Sequence, residues 1–143
     1  MIPRAARNNN PGNLRIGQPW QGLMPKDQMT PDQRAETSFA VFKEPKWGFR
    51  ALAILLKNYH TMYGRKTIFQ IISRFAPKNE NDTTAYIQSV CDQVGVGPDD
   101  QIDTTRRIIN FHLCKAIAKH ETGSWEPYWS DDALADGLDL AGL

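Results

Sequence analysis

Apolar positions recur with helical spacing from Pro45 onward, and without it before. Leu52, Leu55, Leu56 and Tyr59 fall at i, i+3, i+4 and i+7, one face of a helix, and Gly64 ends the run. Ile68, Ile71, Ile72 and Phe75 repeat the pattern behind Thr67, an N-cap residue, and Pro77 stops it. A third helix, capped by Asn81 or Asp82, carries Tyr86, Ile87, Val90, Cys91 and Val94 and ends at Gly95-Val96-Gly97-Pro98. A fourth opens at Asp103 or Thr104, lines up Ile109, Leu113, Ala116 and Ile117, and is closed by Gly123. Ser130, with Asp131 and Asp132 behind it, starts a short last helix.

The first 45 residues lack this period. Asn8-Asn9-Asn10-Pro11-Gly12-Asn13 is dense in turn formers. Leu14-Arg15-Ile16 and Ser38-Phe39-Ala40-Val41-Phe42 read as short strands, and Asp27 to Glu36, polar and Pro-interrupted, as a surface loop. The expected fold is mainly α, formally α+β, with a small β-hairpin lobe near the N-terminus. It forms one domain, 1–143: loop and β-lobe over 1–45, helical core over 46–130, and a short helix and tail over 131–143.

Composition narrows the function classes. Lys+Arg 17 against Asp+Glu 16 leaves a net charge of +1, too little cationic excess for a nucleic-acid coat or a polybasic membrane binder. Apolar residues at 41% mark an ordinary globular chain. No apolar run approaches the roughly 18–20 residues that span a bilayer, so no membrane insertion is expected. Arg4 and Arg7 are followed by no apolar segment, so no secretory signal is expected. Cys91 and Cys114 sit at apolar helical positions and read as buried thiols, with a disulfide left open. His60, His112 and His120 show no ligand spacing, so neither a metal nor another cofactor is expected.

The chemistry concentrates at Ala116-Ile117-Ala118-Lys119-His120-Glu121-Thr122-Gly123. Leu113, Ile117 and Glu121 are four apart, so Glu121 extends an apolar stripe into the last helical turn. Partial desolvation and the negative helix end both disfavour the anion, which is the condition for a general acid. The alternative is an exposed carboxylate at a helix end, paired with Lys119 or Arg107. Trp20, Trp125, Trp129, Tyr86 and Tyr128 offer apolar faces for sugar rings with polar edges, whereas Trp47, Tyr59 and Phe75 read as core. Asn8, Asn9, Asn10 and Asn13 carry amides suited to hydroxyl or acetamido groups, or equally to forming a turn.

These residues carry a resemblance. Arg7-Asn8-Asn9-Asn10-Pro11-Gly12-Asn13-Leu14-Arg15, Trp20-Gln21-Gly22, Phe39-Ala40-Val41-Phe42, Gly48-Phe49-Arg50-Ala51-Leu52, Ala76-Pro77 with Glu80-Asn81-Asp82-Thr83 and Tyr86, and His120-Glu121-Thr122-Gly123 with Pro127-Tyr128 together resemble small phage virion and prophage structural proteins. The resemblance runs to about Ser130. More distantly, Ala116 to Gly123 is similar to the acid-bearing helix end of lysozyme-like peptidoglycan glycosidases, the glucosaminidases and lytic transglycosylases. Asn9-Asn10 with Asn13-Leu14-Arg15, Trp20-Gln21-Gly22 and Phe39 with Phe42 are similar to segments that follow that helix in those enzymes. Here the acid helix comes last, so the resemblance implies a circularly permuted lysozyme-like domain.

The resemblance implies a peptidoglycan glycosidase, muramidase or lytic transglycosylase, cleaving the β-1,4 MurNAc–GlcNAc backbone with Glu121 as acid. Its partners would be peptidoglycan glycan strands and other virion proteins. Its place would be a phage particle or a phage-carrying cell, with action in the periplasm or cell wall. Glu36, beside the Phe39–Phe42 strand, is the candidate second carboxylate, because in this superfold a β-lobe residue faces the acid helix. Asp27 and Asp32 lie in the polar loop, and Glu126 follows its turn too closely to span a cleft. A one-carboxylate scheme stays open, as does a non-catalytic virion structural or peptidoglycan-binding protein. Asn10, Asn13, Trp20, Tyr86 and Tyr128 would bind substrate.

Overall fold

Proline and glycine punctuation decides where the helices begin and how closely they pack. The computed structural model describes residues 1–76 and 80–143, and among them the chain forms seven α-helices. Pro45 occupies the first turn of α3 (Pro45–Thr61; α1 is Arg4–Arg7 and α2 is Pro31–Arg34), where its missing N–H costs nothing. Phe49, Leu52, Ala53, Leu56 and Tyr59 form the buried face of α3. Thr67 caps α4 (Ile68–Phe75) by accepting the Gln70 N–H, and Ser130 caps α7 (Asp131–Leu140) by accepting the Ala133 N–H, both as the sequence predicts.

α5 spans Glu80–Val94 and α6 spans Arg107–Thr122, closed by Gly123 at φ 83°. α5 already begins at Glu80, so Asp82 lies in its first turn and not at its cap. Pro77 and the Asn81 side chain, given stop and cap roles above, lie outside the described residues. α6 starts later than Asp103 or Thr104. The Asp103 carboxylate accepts from the Thr105 N–H and hydroxyl, and the buried Thr104 hydroxyl donates to the Leu56 carbonyl at 2.7 Å, so both residues are spent on a turn.

One core joins these helices. Phe49, Leu52, Leu56, Ile68, Ile71, Ile72, Leu113, Ile117, Leu134 and Leu138 are fully buried, each contributing about 1.5–3 kcal/mol of apolar transfer. α7 packs most extensively on α3, and α6 is wedged against α3, α5 and α7. Gly137 makes the α3–α7 approach possible: a Cβ there would lie 2.6 Å from Phe49 Cβ and 2.9 Å from Arg50 N. Cys91 and Cys114 are buried free thiols.

The N-terminal lobe differs from the expected hairpin. Arg15–Phe39 and Leu23–Phe42 are isolated antiparallel bridges, and no strand forms among the described residues. A few backbone bonds pair the segments, Ala40 N–H to the Leu14 carbonyl at 2.8 Å and Ile16 N–H to the Ser38 carbonyl at 3.0 Å, and side-chain amides add to them. Asn10 donates to the Leu14 and Ala40 carbonyls, both at 2.9 Å, and accepts the Leu14 N–H at 2.9 Å. Asn9 donates to the Phe42 carbonyl. The lobe is thus held by short backbone pairings and by the Asn9 and Asn10 amides together. The polar loop also contains α2, held by a capping box between Thr30 and Gln33.

Candidate functional site

Two residues far apart in sequence meet at the end of α6. Asn13, in the left-handed region at φ 47°, directs its amide outward from the N-terminal turn and donates to Glu121 Oε1 at 2.7 Å across 108 positions. The turn is held from below: Gly48 of α3 has no Cβ because one there would collide with the Asn9 carbonyl. Glu121 is half-buried at the end of the stripe begun by the fully buried Leu113 and Ile117, as its spacing predicts.

Tyr86 reaches the same place from α5. It is buried, and its ring stacks on His120 with centroids 3.7 Å apart and planes 26° apart. Burial first, then the charge of the adjoining Glu121 carboxylate and a hydrogen bond to it, push its ionisation well above the ordinary tyrosine value, so it stays a neutral phenol. Asn13 Oδ1 is buried without a hydrogen-bond partner among the described residues. An orphaned amide oxygen beside the carboxylate carries a desolvation cost that a polar ligand would relieve.

These side chains line a groove of about 680 Å³. Gly12, Asn13, Leu14, Arg15 and Phe39 make one wall, Leu55 and Tyr59 come from α3, Phe75 and Ala76 with Asp82, Thr83, Ala85 and Tyr86 make the other wall, and His120 and Glu121 lie at the end of α6. The volume is that of an ordinary small-ligand site. Asp82 is the second carboxylate among the lining residues, and Arg15 and His120 are its basic side chains. The sequence reading passed over Asp82, Arg15, His120 and Tyr59 as site residues. The i, i+4 spacing from Asp82 to Tyr86 was available to place Asp82 near Tyr86, whereas nothing local placed Arg15.

Other expected site residues lie elsewhere. Glu36 does not line this groove. Its side chain is only 6% exposed and accepts from Arg7 at 2.6 Å, Asn8 at 3.2 Å, Ser38 N at 3.0 Å and Phe39 N at 3.1 Å, with Arg4 at 3.6 Å. Burial pushes its carboxyl up, but the Ser38 N–H, the Asn8 amide, the Phe39 N–H and the Arg4 charge outweigh it and hold it below the ordinary 4.5. It is a structural anion tying α1 to the lobe. Asn10 is buried and spends its amide on the backbone. Trp20 and Tyr128 pack half-buried against the core, away from the groove lining. Trp129 is buried edge-on to Phe49 and donates to Thr122 Oγ1 at 3.0 Å, and Trp125 packs between Phe49 and Lys115. These tryptophans fix the α6–α7 connection. No group of three or more His, Cys, Asp or Glu side chains is placed to hold a metal among the described residues.

Fold and groove together define a small, mainly helical protein whose groove closes on the C-terminal end of one helix. No family model matches the chain. It is 34% identical over 135 residues to Protein P5 of Pseudoalteromonas phage PM2, an alignment covering 90% of this chain and 76% of that protein. The chain belongs to the family of that phage protein.

Proposed function

We propose that this is a phage-associated peptidoglycan glycosidase, with the groove taking a glycan strand and Glu121 acting on the MurNAc–GlcNAc linkage. The observation that carries the reading is the convergence of Asn13, Tyr86 and Glu121, with the buried Asn13 Oδ1 left unpartnered beside the carboxylate. An acetamido sugar supplies both an N–H for Asn13 Oδ1 and acceptors for the Tyr86 hydroxyl. The meeting of the first turn with the end of α6 is the proximity a circularly permuted lysozyme-like domain requires.

With Glu36 locked in the lobe, a one-carboxylate scheme follows. Protonated Glu121 gives its proton to the glycosidic oxygen as the C1–O bond breaks. The resulting carboxylate then accepts the proton of the muramyl 6-hydroxyl, whose oxygen bonds to C1, giving a 1,6-anhydro end. Asp82, exposed on the groove rim, is the carboxylate for a hydrolytic variant, in which water would attack and a reducing end would result. The protein would be carried by the particle and act at the cell wall.

A second reading is a virion structural or peptidoglycan-binding protein of the same fold without turnover. The phage relative and the removal of Glu36 from the groove favour it. Digestion of purified sacculi separates the two. Soluble muropeptides, with anhydro or reducing ends by mass spectrometry, support catalysis. Cosedimentation without release supports binding alone, and neither would refute both.

A further inference from the structure

Arg15 stands exposed on the groove wall opposite α5. Its guanidinium carbon lies 5.2 Å from the Phe39 ring centroid, and that of Arg4 lies 5.1 Å from the same ring. The two cations differ in one respect. Arg4 is neutralised by Glu36 at 3.6 Å, whereas Arg15 forms no ion pair among the described residues. The Arg15–Phe39 bridge and the ring contact hold its side chain at the groove instead of leaving it free in solvent. Meanwhile Glu121 gives the same groove a carboxylate. A neutral ligand has no need of a cation there, and an anionic ligand is repelled unless one offsets that carboxylate.

We propose that Arg15 sets the specificity of this groove by pairing with a carboxylate carried on the glycan, so that muramyl-containing strands are preferred over neutral chitin-like ones. This rests on the glycan reading of the site. Peptidoglycan offers that carboxylate from two sources, the lactyl ether of MurNAc and the stem peptide. A planar guanidinium steadied on an aromatic face suits bidentate carboxylate pairing.

The test is a titration of the isotope-labelled protein by NMR with three probes. N,N′-diacetylchitobiose has no carboxylate, GlcNAc–MurNAc has the lactyl carboxylate, and a GlcNAc–MurNAc-peptide has stem carboxylates with the lactyl group consumed as an amide. The wild type is expected to bind one carboxylate-bearing probe about two- to fivefold tighter than chitobiose at low salt, as for an exposed ion pair. The favoured probe names the source. Arg15→Gln should erase that preference, bringing the affinity for the favoured probe down to that for chitobiose, while the variant stays folded in a thermal melt. Equal affinity for all three, or a preference that survives Arg15→Gln, overturns the inference alone. No binding of any probe overturns it together with the glycan reading.

Discussion

Replacing Glu36 by glutamine separates a structural carboxylate from a catalytic one. Each oxygen of Glu36 faces two donors: Arg7 and Asn8 at Oε1, Ser38 N and Phe39 N at Oε2. An amide in either orientation turns an NH2 group toward two donors and withdraws the charge from Arg7. Hydrogen bonds to charged groups are worth about 1.5–3 kcal/mol, and orphaning the partner of a buried pair costs about 3–5 kcal/mol. Arg7 keeps 29% of its side-chain exposure, so water recovers part of that loss and about 3 kcal/mol is expected. At this chain length the loss lowers the melting temperature by about 10 °C. Urea denaturation and calorimetry measure it, and peptidoglycan release is assayed well below the lowered midpoint. Glu36→Gln should be less stable and keep its activity. A variant as stable as wild type, or one that is folded yet inactive, would refute the structural assignment.

The remaining expectations follow from the same geometry. Because the Glu36 carboxyl lies below 4.5 in the fold, its contribution is complete above that pH and is lost as pH falls through the folded value; the stability gap between wild type and Glu36→Gln should narrow below about pH 4.5 in acid titrations followed by circular dichroism. Tyr86→Phe removes a buried hydroxyl that faces the Glu121 carboxylate, so it should lower stability by about 1 kcal/mol and weaken glycan binding; wild-type urea stability would show that the contact contributes nothing. Gly137→Ala should cost about 2–3 kcal/mol by forcing α7 off α3, and wild-type urea stability would contradict that packing. Burial raises both the Cys91 and Cys114 thiols, so neither should react with a disulfide reagent until the protein unfolds.

The helices were legible because their signals are local. Thr67 and Ser130 cap, Gly123 closes α6, and Leu113, Ile117 and Glu121 share one face, all within a few residues of sequence. Thr30-Pro31-Asp32-Gln33 carried an equally local capping box, and reading it as loop weighed prolines over the cap. The lobe was harder. Val- and Phe-rich alternation suggests strands, and short backbone pairings do form, but Asn9 and Asn10 share in holding those segments, and only the folded chain brings them there. The site divides in the same way. Asn13, Tyr86 and Glu121 stood out by chemistry, and the fold brings them together. Glu36 stood out by proximity to a supposed strand, yet its partners Arg7 and Asn8 lie 29 and 28 residues away, a pairing no local pattern encodes.

The most direct test of the central claim is Glu121→Gln on purified sacculi and on permeabilised cells. The substitution keeps the size and hydrogen-bonding shape of the side chain beside Asn13 while removing its transferable proton. The account predicts a folded variant with near wild-type melting temperature that clears no turbidity and releases no soluble muropeptide. Clearing at the wild-type rate by the folded variant would contradict it.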